Sequence, residues 1–176
     1  MPFLQATSRA ADAQQIVDAA IAHAGKDGLH SLTMRDLAQA VGKSTTVIVN
    51  LFGTKAGLIQ AVGEEALRRD AAFHAEFFRA AEGLNPGRDS MLALVQHYLH
   101  RRAADDAGFV RIWEALTLDA DAGAERRDLM RGWHALRVDA WRAHLATEDR
   151  TADFSESLVA TLTIEQFYAG ALAGRP

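Results

Sequence analysis

Two short helical segments, each with its own cap and separated by one glycine, lie between residues 33 and 51. They restrict the fold more than any other feature of the chain. Thr33-Met34-Arg35-Asp36 is a Thr cap with an acid three residues later, a capping box that opens a helix to about residue 40. Its inward face is Met34, Leu37, Ala38 and Val41. Gly42 breaks it, and Ser44 stands where it would cap a third helix ending near Leu51. Upstream, Ile16, Ala20, Ile21 and Ala24 recur at helical spacing over residues 10–24, with Ser8 as cap and Gly25-Lys26-Asp27-Gly28 as stop. Three short helices, the second and third joined by a tight turn, form the helix-turn-helix pattern. The second helix of such a pair lies in the DNA major groove while the first crosses the backbone.

After the break at Gly53-Thr54-Lys55, a long apolar pattern (Leu58, Val62, Leu67, Phe73, Phe77) predicts a helix to residue 81. Beyond Asn85-Pro86-Gly87 the spacing predicts helices near 88–104, 108–118, 122–145 and 154–172, and no alternating strand pattern or internal repeat is found. The expected fold is all-α, a three-helix head (1–53) joined to a larger helical body (54–176). With 176 residues and 49% hydrophobic content the chain can bury a core without metal or disulfide staples. Zero Cys removes thiolate metal sites, cysteine nucleophiles and redox switching, and fits a reducing compartment. There is no secretory signal pattern at the N-terminus and no uncharged run near the ~20 residues of a membrane span. A cytoplasmic protein without membrane contact is expected. Residues 1–60 carry a net +1 and hold all three lysines, while the remainder carries −5, a weak sign that the head meets a polyanion.

The stretch 16–62 resembles the DNA-binding head of the TetR family of bacterial one-component regulators. The resemblance rests on Gly28, on TMRDLAQAVG at 33–42, on Ser44, and on LFGTKAGLIQAV at 51–62, where Phe52, Lys55 and Leu58 match a Phe-x-x-Lys-x-x-Leu entry into the fourth helix. It implies a non-enzymatic transcriptional regulator, a ligand-responsive repressor that binds a palindromic double-stranded operator as a homodimer. The departures sit in the recognition helix: Lys43 replaces a hydrophobic residue, Val47 and Val49 stand where Thr and Tyr are usual, and Leu51 where Tyr or His is common. Ile48, Leu51 and Phe52 can face inward, but at ~100° per residue Val47 and Val49 cannot both do so. One is expected to be exposed, where it can meet a thymine methyl. The rival reading is a ligand-binding or protein-interaction module of the same fold that has lost operator binding.

Thr33, Ser44 and Lys55 begin helices, where backbone N–H groups suit a phosphate, and Arg35 can reach one too. Lys43, Thr45, Thr46, Val49 and Asn50 are the groove-facing candidates, Asn50 being the best base reader because its amide can pair bidentately with adenine. Seven histidines invite a metal reading, but His97 and His100 lack partner carboxylates at Glu-x-x-His spacing, and zinc, phosphate-loop and nucleophile-elbow motifs are absent. No cofactor or metal is expected. The resemblance implies a pocket for a small, mostly apolar effector among the central helices, with Phe77, His97, Tyr98, Trp113 and Trp133 as candidate lining. The last predicted helix is apolar on more than one face, which requires burial, and a second copy would supply it. Leu129, Leu136 and Trp141, with Leu158, Leu162 and Phe167 from that last helix, are the expected dimer contacts.

Overall fold

The computed structural model describes residues 2–81, 88–105, 107–117 and 123–147. These residues form seven helices: α1 (Pro2–Asp27), α2 (Met34–Ala40), α3 (Thr45–Phe52), α4 (Lys55–Ala81), α5 (Arg88–Asp105), α6 (Ala107–Thr117) and α7 (Ala124–Thr147). The expected helix over 154–172 lies outside the described residues.

The largest difference from the sequence reading is α1. It starts at Pro2, a residue whose fixed φ suits the first helical position, and it runs straight through Ser8 and Gly25. A mid-helix Gly costs only ~1 kcal/mol against Ala, which the fully buried Ala20 and Ala24 next to it outweigh by packing. The true stop is Gly28, at φ 79°, whose N–H bonds the Ala24 carbonyl at 3.1 Å.

The two short helices are built as their caps dictate. Thr33 is extended (φ −112°, ψ 151°), and its Oγ1 accepts from the Asp36 N–H at 3.1 Å. The reciprocal arm of the expected capping box differs: the Thr33 hydroxyl itself donates to the Asp36 carboxylate at 2.6 Å. Aspartate is one methylene shorter than the glutamate of a standard box, so its carboxylate meets the hydroxyl first. Gly42, at φ 64°, closes α2 as a Schellman turn, with Gly42 N–H on the Gln39 carbonyl and Lys43 N–H on the Ala38 carbonyl at 2.9 Å. Ser44 Oγ caps α3 at Val47 N, and Thr54 Oγ1 caps α4 at Gly57 N.

Two apolar cores follow. The first gathers Ile16, Ala20, Leu32, Leu37, Ile48, Leu58 and Val62 beneath α2 and α3, and continues into Phe109, Ile112 and Leu116 of α6 and Trp133 of α7. Helix α1 packs on α6 as well as on α2, α3 and α4, so the head is seated directly on the body. The second core joins Phe77 and Ala81 of α4 to Leu94 and Tyr98 of α5 and Val138 and Trp141 of α7. Helix α4, with 27 residues, is common to both cores.

Candidate nucleic-acid interface

Ile48 is the anchor that aims α3. Its side chain is fully buried in the first core. The turns of α3 that flank it therefore project Thr45, Thr46, Val49 and Asn50 outward, and all four are exposed. Of the two valines, Val49 is the exposed one at 47%, while Val47 is half-buried. Among the described residues Val49 is the one large apolar side chain held out to solvent. An apolar side chain at this place can meet a thymine methyl. Ser44 and Thr33 are exposed at the starts of α3 and α2, and Arg35 is exposed one residue into α2. Lys55, the first residue of α4, is exposed, with its Nζ 3.4 Å from the His30 carbonyl. Eight of the nine side chains expected at a DNA surface are thus exposed.

Lys43 is the exception in detail. Its ammonium does not project from the surface but donates to Asp12 Oδ1 of α1 at 2.8 Å, with both side chains 31% exposed. Helix α1 grips the other end of α3 as well: Arg9 donates from Nη2 to the Asn50 carbonyl at 3.0 Å. A cation on the last carbonyls of a helix also complements its dipole. Arg9, Asp12, Val47 and Asn50 border one shallow depression between α1 and α3. Sequence reasoning missed Arg9 because it began the helix at residue 10, and Asp12 because its partner Lys43 stands 31 positions away. The three-residue separation of Arg9 and Asp12 would have placed them on a common face had α1 been extended upstream.

The body holds a buried polar cluster that the sequence did not reveal. Asp70 of α4 is fully buried, is ion-paired to Arg102 of α5, and accepts from Trp133 Nε1 of α7 at 2.6 Å. The Arg102 guanidinium lies between the rings of Phe73 (4.1 Å) and Phe109 (4.0 Å). His74 Nδ1 lies 2.8 Å from the Asp70 carbonyl, which can only accept, so Nδ1 carries the proton and Nε2 accepts from the Tyr98 hydroxyl at 3.0 Å. Burial pushes this imidazole down to about 3, helped by the charge of Arg137, so it is neutral despite the nearby Asp70 carboxylate, which Arg102 already compensates. Nearer the head, hydrogen bonds from Arg68, joined by Arg69, hold the Glu65 carboxyl at about 2 against the upward pull of its own burial. Arg69 also reaches Asp18 of α1, and Arg111 of α6 donates to the Lys26 carbonyl, so two arginines tie α1 to the body.

The five residues expected to line an effector pocket are not brought together. Phe77, His97 and Tyr98 meet around the second core, with the Phe77 ring 5.7 Å from His97 and 5.3 Å from Tyr98. Trp113 and Trp133 pack in the first core instead, Trp133 because its indole N–H needs a buried acceptor and finds Asp70. A separate groove of about 740 Å³ lies between α4 and α7, lined mainly by small and aromatic side chains, among them Ala75, Phe78, Leu136, Ala140 and His144. Of the expected dimer contacts, Leu129 and Leu136 are half-buried on α7. Trp141 is buried within its own chain, edge-on to Phe78 at 4.9 Å and to Tyr98 at 5.2 Å, so its ring is a core element rather than a surface one. Leu158, Leu162 and Phe167 lie outside the described residues. Among the described residues no single helix is long and apolar enough to cross a membrane.

Comparison with known proteins agrees with this geometry. Residues 16–62, the span from the buried face of α1 to the first turns of α4, match the family described as bacterial regulatory proteins, tetR family. No curated protein matches the chain in sequence. Among solved structures, the fold is similar to that of E. coli NemR in its reduced form, at 13% identity and a TM-score of 0.72, covering 92% of this chain and 88% of that one. A TetR transcriptional regulator from Legionella pneumophila is similar at 16% identity and a TM-score of 0.64, covering 88% and 87%. The TetR transcription regulatory protein from Mycobacterium vanbaalenii is similar at 20% identity and a TM-score of 0.59, covering 92% and 96%.

Proposed function

We propose that the chain is a DNA-binding transcriptional regulator of the TetR family, the family whose model residues 16–62 match, and that it is a ligand-responsive repressor acting as a homodimer on a palindromic operator in the cytoplasm. The observation that carries the proposal is the exposed row Thr45, Thr46, Val49 and Asn50 on a helix anchored by Ile48. Ser44, Thr33, Arg35 and Lys55 stand around that row where phosphates would pass. Residues 1–53 act as the reading head and 54–176 as the sensing and dimerising body. Two heads would be set ~34–36 Å apart to meet successive major grooves. Helix α7, through Leu129 and Leu136, and the segment 154–172 would form the twofold contact. The effector is small and mostly apolar, in keeping with the aromatic side chains of α4, α5 and α7, and it acts by preferring one head spacing over another, a coupling of ~1–3 kcal/mol.

The test is a binding titration against the DNA upstream of the protein's own coding sequence, over a range of salt. Lys55→Ala should weaken binding to every sequence alike and lower the salt slope by about 1 per head. Asn50→Ala should cost ~1–3 kcal/mol per half-site and relax preference at one base position. If both variants bind as the wild type does, the protein is a module of this fold that no longer reads DNA.

A further inference from the structure

Asp12 places a carboxylate at the edge of a surface whose neighbours are arranged for polyanions. It borders the same depression as Asn50 and Val47, and its Oδ1 holds the Lys43 ammonium at 2.8 Å. A structural explanation is weak, because both side chains are 31% exposed and water competes for such a pair. Helix α3 is moreover already fixed by the buried Ile48, the Ser44 cap and the Arg9 contact to the Asn50 carbonyl. What the pair does alter is charge. Lys43 is one of three lysines in the chain, all in the head, and Asp12 cancels it at the entrance to the recognition helix.

We infer that Asp12 is a specificity-determining residue: it holds Lys43 away from phosphates on arbitrary DNA, and so keeps sequence-independent binding weak. The inference rests on the operator-binding reading given above. Non-specific affinity comes almost wholly from cations that displace counterions, one unit of salt slope for each phosphate neutralised. A lysine already neutralised by a carboxylate displaces none. At the operator, where Thr45, Thr46, Val49 and Asn50 find their bases, the docked phosphate competes with Asp12 at close range and Lys43 can transfer to it. The α1 contact therefore widens the gap between the operator and other DNA by lowering affinity for the latter.

The experiment uses the full chain and a labelled mixed-sequence duplex of about 30 base pairs, titrated between ~50 and ~200 mM KCl. Four proteins are compared: wild type, Asp12→Asn, Lys43→Met and the double variant, each shown by circular dichroism to be folded. Asp12→Asn should bind about 3- to 10-fold more tightly at the lowest salt, with a log–log slope steeper by about 0.9 per head. Lys43→Met, which leaves Asp12 facing the phosphates, should bind more weakly than wild type. The double variant should return to wild-type affinity and slope within about 2-fold, as expected when a mutually cancelling pair is removed together. A double variant as weak as Lys43→Met, with a lower slope, would mean that Lys43 contacts DNA despite Asp12 and would overturn the inference. So would an Asp12→Asn protein that binds like wild type or binds less. If none of the four binds the duplex at the lowest salt, the DNA-binding reading itself fails. If wild type binds with a normal salt slope and Asp12→Asn is unchanged, that reading stands and only the role of Asp12 falls.

Discussion

Removing the Asp70 carboxylate should be among the most damaging single changes available in the body. The side chain is fully buried, neutralises the buried Arg102, and accepts from Trp133 Nε1 at 2.6 Å. Asp70→Ala strips a compensating charge from a guanidinium held between two phenyl rings, a loss of ~3–5 kcal/mol for a buried pair. It also leaves the indole N–H without its acceptor, which adds ~1–3 kcal/mol. The sum is a large part of the ~5–15 kcal/mol that holds an ordinary domain together. Asp70→Asn separates the two contributions, since its amide oxygen can still accept from Trp133 while the charge is gone. Asp70→Leu combined with Arg102→Met removes both charges at once and should recover most of the loss, because an apolar replacement of a buried pair is often neutral. The assay is urea unfolding at fixed protein concentration, followed by tryptophan emission and by circular dichroism. Single variants that lose less than ~1 kcal/mol, or a double variant less stable than Asp70→Ala, would refute the reasoning.

Three further outcomes are expected. His74 is neutral in the folded protein down to about pH 3, whereas the unfolded imidazole takes up a proton below 6.5, so its contribution is complete above 6.5 and is lost as pH falls from there toward 3. Unfolding free energy should drop by up to ~1.4 kcal/mol per pH unit between pH 6 and 5, above the range where Glu65 titrates, and His74→Gln should flatten that slope in denaturation curves. Gly63→Ala would set a Cβ 2.7 Å from Leu129 Cδ2 and 3.1 Å from Leu116 Cδ1, the ends of two leucine side chains that must shift to make room, while alanine gains ~1 kcal/mol of helix propensity, so calorimetry should show a net change within about 1 kcal/mol. Leu136→Arg, on the α7 face proposed to meet a second copy, should turn a dimer into a monomer in sedimentation while leaving helicity intact; a wild type that already sediments as a monomer refutes that interface.

The features legible in the sequence were those set by near neighbours along the chain. Thr33, Gly42, Ser44 and Gly53 each act on backbone groups within about four residues, so the short helices and their turns could be placed from local chemistry alone. Ile48 and Leu37 were readable as core because helical period fixes which residues share a face. The start of α1 was not, since residues 2–9 carry no clear apolar period. The pairs that shape the site were hidden for a different reason: Asp12 meets Lys43 across 31 positions and Asp70 meets Trp133 across 63. Nothing in a single sequence links such partners. Trp141 shows the same limit, because an aromatic on an amphipathic helix has the same signature whether its ring meets its own core or a second chain.

Helix α4 also decides how this protein can be recombined with others. It runs ~40 Å without a break. Leu58 and Val62 lie in one core and Phe77 and Ala81 in the other, so the two cores are locked in angular phase by one rod. Each residue inserted or deleted between Val62 and Asp70 would turn one core against the other by ~100°. Only a change of about seven residues restores the angle, and it then shifts the cores apart by ~10 Å. That shift would pull α7, which gives Trp133 to the first core and Val138 and Trp141 to the second, out of one of them. A foreign head is therefore best joined at the Gly53-Thr54 turn, upstream of the rod, with its own first helix reshaped to sit on α6.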